Sequence, residues 1–450
     1  MLASLFEIKQ MVHIHSLKNN QYSQPWRQGY YAALDIGSTK IICLIGKGKT
    51  NGILHVEGYG WCQSAGIRHG AITDLRAAEA AICHAIAEAE EMAARSIDRI
   101  IINLPCGHPI SRLFNIRYPV GRRVVNSTDL KRIFAAACKQ AATKNRKIVH
   151  VLPVDFIIDD TECVLDPRGY LCEVLNARIH IIDAVETSIA NLKTLISRIG
   201  LKVEEVFVSS LASSFSILDA DELSHGVTLI EIGGDTTSLA LFAEGHVLHT
   251  SSINIGGTHI TYDIANRLNT STIDEAERIK TLFGSAELTT QIEQEIIPVE
   301  LCGNNFPHLE YISRADLCRI ILPQVERIFK QLREQLDNIN YTKTANKRIV
   351  ITGGGALLDN VSLIAEQVMG VRVFTPYGSS DSSLSPCSIR LGYPKRISGI
   401  SRESKAIFST ATGLLKWTMS TSSPFSGIKF RKNQPTNPLQ RLVSVIRKDL

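Results

Sequence analysis

The feature that most constrains the fold is a short pattern that occurs twice. An apolar run from Tyr31 to Leu34 ends in Asp35-Ile-Gly-Ser-Thr-Lys40, and apolar residues resume at Ile41. The same order returns around Glu231-Ile-Gly-Gly-Asp-Thr-Thr237. Two β-rich runs joined by a polar, glycine-containing turn are typical of a β-hairpin. Its repetition predicts an internal duplication at domain scale, with two similar lobes.

The composition is that of an ordinary globular protein. Hydrophobic residues make up 44% of the 450 residues and charged residues 21%. These values exclude a fully disordered chain, a collagen-like repeat and a small disulfide scaffold, and the length predicts two or more subdomains. The net charge of +5 is too small to argue for nucleic-acid binding, and 6% aromatic residues disfavour a base-stacking surface.

The distribution of cysteines and of apolar residues along the sequence predicts the cellular compartment of the protein. The ten cysteines are scattered and none forms a C-x-x-C pair, so we expect reduced thiols rather than a zinc site or a disulfide framework. No run approaches the roughly 18 apolar residues that a membrane span requires. Residues 1–28 lack the apolar core of a signal peptide and are interpreted as a disordered extension. We therefore expect a soluble, intracellular protein.

Helical spacing of apolar residues recurs along the chain. We expect Thr73 to cap the first helix and Ser127 or Thr128 to cap the second. Between residues 108 and 184, strand-like stretches surround one helix, which predicts a separate module. The predicted helices are Thr73–Ala94, Ser127–Ala142, Thr187–Ile199, Thr258–Arg267, Ile273–Leu282, Ser313–Leu336 and Leu357–Met369.

Three glycine-containing loops offer the groups that a nucleotide polyphosphate requires. These are close backbone N–H donors, hydroxyl groups, and carboxylates that hold Mg²⁺ through water. One such turn alone is usually just a hairpin, but three in this order indicate a nucleotide site, with Asp35 and Glu231 on the metal side. The candidate residues are Asp35, Gly37, Ser38, Thr39, Glu231, Gly233, Gly234, Thr236, Thr237, Gly353, Gly354 and Gly355.

Further segments extend this pattern over about residues 30–416. They are Ala33-Leu-Asp-Ile-Gly-Ser-Thr-Lys40, Ser210-Leu-Ala-Ser-Ser-Phe-Ser-Ile-Leu218, Glu231-Ile-Gly-Gly-Asp-Thr-Thr237, Asn254-Ile-Gly-Gly-Thr258, Asp274-Glu-Ala-Glu-Arg-Ile-Lys280, Ile351-Thr-Gly-Gly-Gly-Ala-Leu-Leu358 and Ala411-Thr-Gly-Leu-Leu415. The chain thereby resembles the superfamily of actin, the heat-shock chaperone ATPases and sugar kinases. It is more closely similar to the bacterial FtsA cell-division family.

The resemblance implies an α/β fold: a two-lobed, actin-like (ribonuclease H-like) duplication with an inserted subdomain of the 1C type. The implied divisions are subdomain 1A at 29–107, 185–223 and 386–416, subdomain 1C at 108–184, subdomain 2A at 224–256 and 345–385, and subdomain 2B at 257–344. A flexible linker at 417–437 and a terminal helix at 438–450 follow.

The resemblance also implies residue roles. Glu277 and Lys280 match a pair that contacts adenosine, although residues so spaced on a helix can simply form an ion pair. Matching motif positions add Lys40 and Gly257 to the nucleotide site. The second turn departs from the family pattern at Glu231, Asp235 and Ser238. Because Asp235 opposes phosphate binding by charge repulsion, we expect weak or no ATPase activity, with Glu231 as the catalytic candidate.

The last residues form an amphipathic pattern. Asn437 can cap a helix and Pro438 suits its first position. One face is apolar and the other is basic, which favours an anionic membrane surface over docking on the protein's own core. The apolar residues are Leu439, Leu442, Val443, Ile446 and Leu450.

The leading hypothesis is an ATP- and Mg²⁺-binding, actin-like cell-division protein. By resemblance it tethers FtsZ polymers to the cytoplasmic face of the inner membrane at the septum. It also recruits later division proteins through the 1C-type subdomain and self-associates into filaments. The alternatives are an FtsA-like pilus-assembly protein and a sugar-kinase-type phosphotransferase of the same fold.

The resemblance further implies that subdomain 2B receives the C-terminal tail of FtsZ. The candidate element is Ser313–Leu336, with Arg314 and Arg319 as the FtsZ-binding residues. We expect an apolar groove whose rims are cationic. The groove would be formed by Ile320, Ile321, Val325 and Ile328, and the rims by the arginines. Pro323 is expected to kink or split this helix. The alternative is that the apolar residues belong to the core.

Overall fold

A computed structural model describes residues 29–48, 52–68, 70–164, 166–303, 307–339, 348–372, 384–385, 388–400 and 405–419. The chain divides into two compact units. Unit 1 contains the residues up to His225, Ala240–Ser251, and those from Pro394 onward. Unit 2 contains Gly226–Leu239 and Ser252–Tyr393.

The strands are numbered in chain order. They are β1 Tyr30–Ile36, β2 Lys40–Gly48, β3 Leu54–Gln63, β4 Ile67–Arg68, β5 Ala71–Ile72, β6 Arg99–Leu104, β7 Ile110–Val124, β8 Arg146–Ile158, β9 Glu162–Val164, β10 Leu171–Val185, β11 Lys202–Val208, β12 Val227–Ile232, β13 Thr237–Ala243, β14 His246–Ile253, β15 Ile296–Leu301, β16 His308–Ser313, β17 Arg348–Thr352, β18 Val371–Arg372, β19 Leu384–Ser385, β20 Ser388–Leu391 and β21 Ile397–Ser398.

The α-helices are numbered in the same way. They are α1 Leu75–Ala93, α2 Ser127–Ala141, α3 Glu186–Arg198, α4 Ser209–Ile217, α5 Ala220–His225, α6 Gly257–Leu268, α7 Ile273–Phe283, α8 Thr290–Gln294, α9 Arg314–Asp337, α10 Val361–Met369 and α11 Ser409–Met419. Two 3₁₀ turns lie at Gly354–Leu357 and Lys405–Phe408.

The predicted duplication is visible in two sheets. The first has the order β11-β6-β1-β2-β3-β21 and the second β14-β13-β12-β17-β20. In each, the first hairpin strand pairs on its other side with a parallel strand that comes later in the chain: β1 with β6, and β12 with β17. Each of these four strands is almost continuously apolar, because buried parallel strands carry apolar side chains on both faces.

Residues between β6 and α3 form a separate layer in unit 1. Strands in the order β7-β10-β8-β9 make an antiparallel sheet, and α2 packs against it around Leu130, Ile133 and Phe134. Burial alternates along the first half of β10, which is typical of a sheet with one face on a core, and the second half of the strand is buried almost continuously. This layer lies where the sequence predicted a separate module.

Helix boundaries differ from the predictions at several ends. Asp74, not Thr73, caps α1, and Asn126, not Ser127 or Thr128, caps α2. Both true caps are side-chain acceptors in extended backbone, one or two residues from the predicted positions. α11 continues to Met419, so residues 417–419 are helical rather than linker, with Trp417 and Met419 buried.

Unit 2 adds helices α6 to α10 and the antiparallel hairpin β15–β16. α9 runs without interruption past Pro323, so the expected split is wrong. Ten of its residues are buried, and this packing holds the helix together although proline removes one backbone hydrogen bond.

Candidate functional site

The turn between β1 and β2 contains the first candidate residues. The Gly37 amide donates to the Lys40 carbonyl oxygen at 2.9 Å, which closes the turn. A Cβ atom on Gly37 would lie 2.8 Å from that oxygen, so glycine is required by close approach. Lys40 and Ser38 are half-buried and Thr39 is exposed. The closed turn therefore holds Ser38 and Thr39 between its two bonded residues, directly after the strand that carries the acidic residue.

That acidic residue, Asp35, is held by a side chain that sequence reasoning missed. Asn103, in β6, donates its side-chain amide to Asp35 Oδ1 at 2.7 Å. Its oxygen accepts from the Ile36 amide at 2.7 Å. The available signal was an asparagine inside the apolar strand Arg99–Leu104, a polar residue that needs partners when it is buried.

The turn between β12 and β13 has the same geometry as the first. The Gly233 amide donates to the Thr236 carbonyl oxygen at 2.9 Å, and a Cβ atom on Gly233 would lie 2.8 Å from that oxygen. The two copies of the duplicated pattern therefore share even the hydrogen bond that closes the turn. Thr237 is fully buried and its hydroxyl donates to the Ile255 carbonyl at 2.7 Å, so this side chain supports the loop from inside.

The start of α6 packs directly on the second turn. The amides of Gly257 and Thr258 each donate at 2.9 Å, to the carbonyl oxygens of Gly233 and Gly234 respectively. A Cβ atom on Gly256 would lie 2.4 Å from the Gly234 oxygen, so glycine is required at the position just before the predicted Gly257. The first turn of α6 therefore orders the glycine loop.

Glu277 and Lys280 meet at the same place. Lys280 Nζ donates to Glu277 Oε2 at 2.5 Å, to Thr261 Oγ1 at 2.8 Å and to the Gly257 carbonyl at 3.2 Å. Burial lowers the pKa of Lys280, and the Glu277 carboxylate opposes that shift. Unit 2 thus brings Gly233, Gly257 and the Glu277–Lys280 pair together, with Thr261 as a partner that the sequence did not indicate.

The third glycine loop packs on β12. Gly353 has a φ of +90°, and a Cβ atom there would lie 2.4 Å from the Ile232 carbonyl oxygen. A Cβ atom on Gly355 would lie 2.3 Å from Ile232 Cγ2, whereas Gly354 is exposed. The expected helix Leu357–Met369 is wrong at its start. A 3₁₀ turn comes first, and α10 begins at Val361 after Asn360, whose φ of 62° interrupts a helix.

The acidic donors suit a metal held jointly with phosphates. Within the described ranges, no group of three or more His, Cys, Asp or Glu side chains is arranged to hold a metal ion. Mg²⁺ commonly takes one or two carboxylates and completes its shell with water and substrate phosphates. Asp35 and Glu231, one near the end of each hairpin's first strand, are donors of that kind.

The expected apolar groove on α9 is wrong. Ile320 is 7% exposed, and Ile321, Val325 and Ile328 are 1% exposed or less, so these side chains are core. The helix is amphipathic because its apolar face packs on the core of unit 2. That face is therefore not available to a partner.

The two arginines of α9 have different surroundings. Arg314 is largely buried and donates to Glu295 Oε2 at 2.6 Å and to the Phe283 carbonyl at 2.7 Å. Arg319 is 57% exposed and pairs with Asp316 at 2.8 Å. Arg319 is therefore accessible to a partner, whereas Arg314 joins α9 to the end of α7 and to Glu295, the residue that follows α8.

The apolar residues expected to contact a membrane, Leu439, Leu442, Val443, Ile446 and Leu450, lie outside the described residues. In the part of the chain that is described, no helix has the length and apolar character needed to cross a bilayer.

The fold is similar to that of solved structures. One of the type IV pilus complex PilM–PilN matches with a TM-score of 0.57 at 14% identity, covering 87% of this chain and 98% of that one. MreB 5 of Spiroplasma citri bound to AMPPNP matches with a TM-score of 0.50 at 14% identity, covering 86% and 95%. The fold is that of the actin-like ATPases, as expected, with an inserted domain.

Sequence comparisons identify the family. The model for the cell division protein FtsA matches residues 228–413, and that for the SHS2 domain inserted in FtsA matches 106–183. The FtsA of Rhizobium meliloti is 32% identical over 402 residues, 86% of this chain and 87% of the relative. That of Pseudomonas aeruginosa is 30% identical, covering 91% and 95%, and that of Escherichia coli K12 is 28% identical, covering 85% and 89%. The chain belongs to the FtsA family of cell division proteins.

Proposed function

We propose that this chain binds Mg²⁺-ATP and links FtsZ polymers to the cytoplasmic membrane at the division septum. The proposal of nucleotide binding rests on one observation: both copies of the duplicated sheet have a closed turn with the same hydrogen bond, and each turn follows an acidic residue. The AMPPNP held by a MreB of the same fold supports it. Membership of the FtsA family supports the cell-division part and favours it over a pilus-assembly protein or a sugar kinase.

The proposed site uses each group for one task. Backbone amides of the two turns, at Gly37–Lys40 and Gly233–Thr237, would bind the phosphates together with the hydroxyls of Ser38, Thr39 and Thr236, with the Gly353–Gly355 loop beside the second turn. Thr237 would contribute through its backbone only, because its hydroxyl is used inside the loop. Bound Mg²⁺ would neutralise phosphate charge. Asp35 and Glu231 would hold it through water. Lys280 and Glu277, already joined by a hydrogen bond, would contact the adenosine.

Isothermal titration with ATP and Mg²⁺ tests this site. We expect Asp35→Ala to weaken binding about tenfold, because it removes a carboxylate from the metal side. The matched control is Asp160→Ala, an exposed acidic residue of the inserted domain, which should bind as wild type does. Equal affinity for Asp35→Ala and wild type would mean that the metal is held elsewhere, and an absence of binding by wild type would reject the nucleotide proposal.

The tether has further proposed parts. The C-terminal helix at 438–450 would bind the anionic membrane surface. Subdomain 2B at 257–344 would take the FtsZ tail, and the inserted 1C-type domain would recruit later division proteins. Self-association into filaments would place many tethers along one polymer. Glu231 is the catalytic candidate for any slow ATP turnover.

A labelled peptide of the FtsZ C-terminal tail tests the contribution of α9. We expect Arg319→Glu to weaken peptide binding at least about fivefold, because it reverses an exposed charge on the proposed surface. Lys330→Glu, at an exposed position farther along α9, is the control and should bind normally. Arg314→Glu should lower both binding and thermal stability, because its partner Glu295 would face a like charge. Unchanged binding by Arg319→Glu would remove this side of α9 from the interface.

A further inference from the structure

We propose that Asn103 is a positioning residue that fixes the Asp35 carboxylate for Mg²⁺, an inference that rests on the nucleotide site proposed above. Asn103 is 3% exposed and lies in β6, while Asp35 lies in β1. The role we assign is to hold one carboxylate oxygen, Oδ1, so that the acid presents a constant orientation to the metal.

The side chain of Asn103 is bonded through both of its polar atoms. Its oxygen accepts from the Ile36 amide at 2.7 Å. Its amide nitrogen donates to Asp35 Oδ1 at 2.7 Å, with longer contacts of 3.2 Å to the Ile36 carbonyl and to Ser209 Oγ. The shortest contact of the amide nitrogen is therefore the one to the carboxylate, where the negative charge strengthens the bond.

The sheet brings these residues together at the edge where the first turn begins. β1 and β6 are parallel, and Leu34 pairs with Ile102. The next residues along each strand are Asp35 and Asn103. On the other side of β6, Phe207 of β11 pairs with Asn103, and Ser209 starts α4 shortly afterwards. Asn103 thus joins three elements at one point, which gives the carboxylate a rigid support.

The second copy of the fold has a different residue at the equivalent position. Thr352 of β17 pairs with Glu231 of β12, in the register that relates Asn103 to Asp35. Its hydroxyl donates to the Gly392 carbonyl at 3.0 Å. An amide that reaches across to a carboxylate is therefore not demanded by the duplicated architecture itself. This difference favours a functional reason for asparagine in unit 1.

The test measures the Kd of a fluorescent ATP analogue with Mg²⁺ and with EDTA. The ratio of the two values is the enhancement of binding by the metal. We expect Asn103→Ala to reduce this enhancement about tenfold while the Kd in EDTA changes less than about twofold, because one charge-assisted hydrogen bond is lost. The matched control is Asn126→Ala, the same chemical change at the cap of α2, which should leave the enhancement unchanged.

A double-mutant cycle separates positioning from a general structural effect. If Asn103 acts through Asp35, Asn103→Ala has no further effect on the enhancement in an Asp35→Ala background. Additive effects, or an unchanged enhancement in Asn103→Ala, would overturn the inference.

A second variant covers the case in which Asn103→Ala does not fold. Asn103→Thr places in β6 the residue that the second copy carries, and threonine suits a strand. The threonine side chain is too short for its hydroxyl to bond both Asp35 and Ile36. The enhancement of binding by Mg²⁺ should therefore fall as it does in Asn103→Ala. Wild-type enhancement in a folded Asn103→Thr variant would overturn the inference. Wild-type protein that binds no nucleotide would reject the proposed site itself.

Discussion

Gly37 and Gly233 show how a single missing atom decides local structure. In both turns the glycine amide closes a hydrogen bond to a carbonyl oxygen, and the same oxygen lies 2.8 Å from where a Cβ atom would be. The same carbonyl oxygen accepts the hydrogen bond and would clash with a Cβ atom. A larger residue therefore cannot keep this hydrogen bond without a shift of the backbone. Gly37 and Gly233, both recognised in the sequence, are therefore required by backbone geometry, independently of any ligand.

This geometry predicts the effect of adding one methyl group. We expect Gly37→Ala to lower the free energy of unfolding by about 1–3 kcal/mol, because the backbone must move to relieve the contact. Gly257→Ala is the control. Its added Cβ would meet atoms at 3.6 and 3.7 Å, which are ordinary contacts, and alanine favours the helix that starts there. Urea denaturation measures both variants, and equal stability losses would contradict this explanation.

Helix ends were the least predictable feature among the elements. Ser127 and Thr128 were reasonable caps by residue type, yet Asn126 accepts from the amides of Thr128 and Asp129 at 2.8 and 3.2 Å. Asp129 in turn accepts from the Asn126 amide at 3.0 Å and from Arg123. The Arg123 guanidinium, assisted by the Asn126 backbone amide, holds the pKa of Asp129 well below its usual range. Asn126 is the cap because it forms a capping box with Asp129, in which each side chain accepts from the other residue's backbone amide. Arg123, in the preceding strand, holds Asp129 in place.

The box predicts different costs for adjacent polar residues. Asn126→Ala should lower the free energy of unfolding of the inserted domain by about 1 kcal/mol, because two amide donors at the start of α2 lose their acceptor. Ser127→Ala, the predicted cap, should change it by less than about 0.5 kcal/mol. The measurement is urea denaturation followed by helical circular dichroism. A larger loss in Ser127→Ala would mean that the capping assignment is wrong.

On the scale of the whole molecule, the two sheets are built alike but carry different additions. Unit 1 holds the inserted antiparallel sheet, and unit 2 holds α6 to α10 and the hairpin β15–β16. The proposed nucleotide groups occur at the turns of both sheets, whereas the proposed FtsZ surface belongs to unit 2. The proposed membrane helix is a terminal segment of the sequence.

The tether predicts that membrane binding can be removed without loss of nucleotide binding. We expect deletion of residues 438–450 to reduce co-sedimentation with anionic liposomes at least about fivefold, because the apolar stripe and basic face are both lost. Leu442→Asp should act in the same direction. The charge-matched control Gln440→Asp, outside the apolar stripe, should retain more binding. Unchanged co-sedimentation after the deletion would reject the tether, and ATP titration of the same protein would show whether the nucleotide site is intact.

The sequence by itself determined the features that depend on neighbouring residues. Both hairpins, the glycines that close their turns, most helices, and the strands and helix between β6 and α3 follow from periodicity and turn chemistry, which act over a few residues. The tertiary structure decided what depends on distant partners. Asn103 reaches Asp35 across 68 positions, Lys280 is enclosed with Thr261 by two helices, and the apolar face of α9 is used by the core of unit 2. Each of these is a contact between separate strands or helices, beyond the few residues over which periodicity and turn chemistry act, so its partner has no local signal in the sequence.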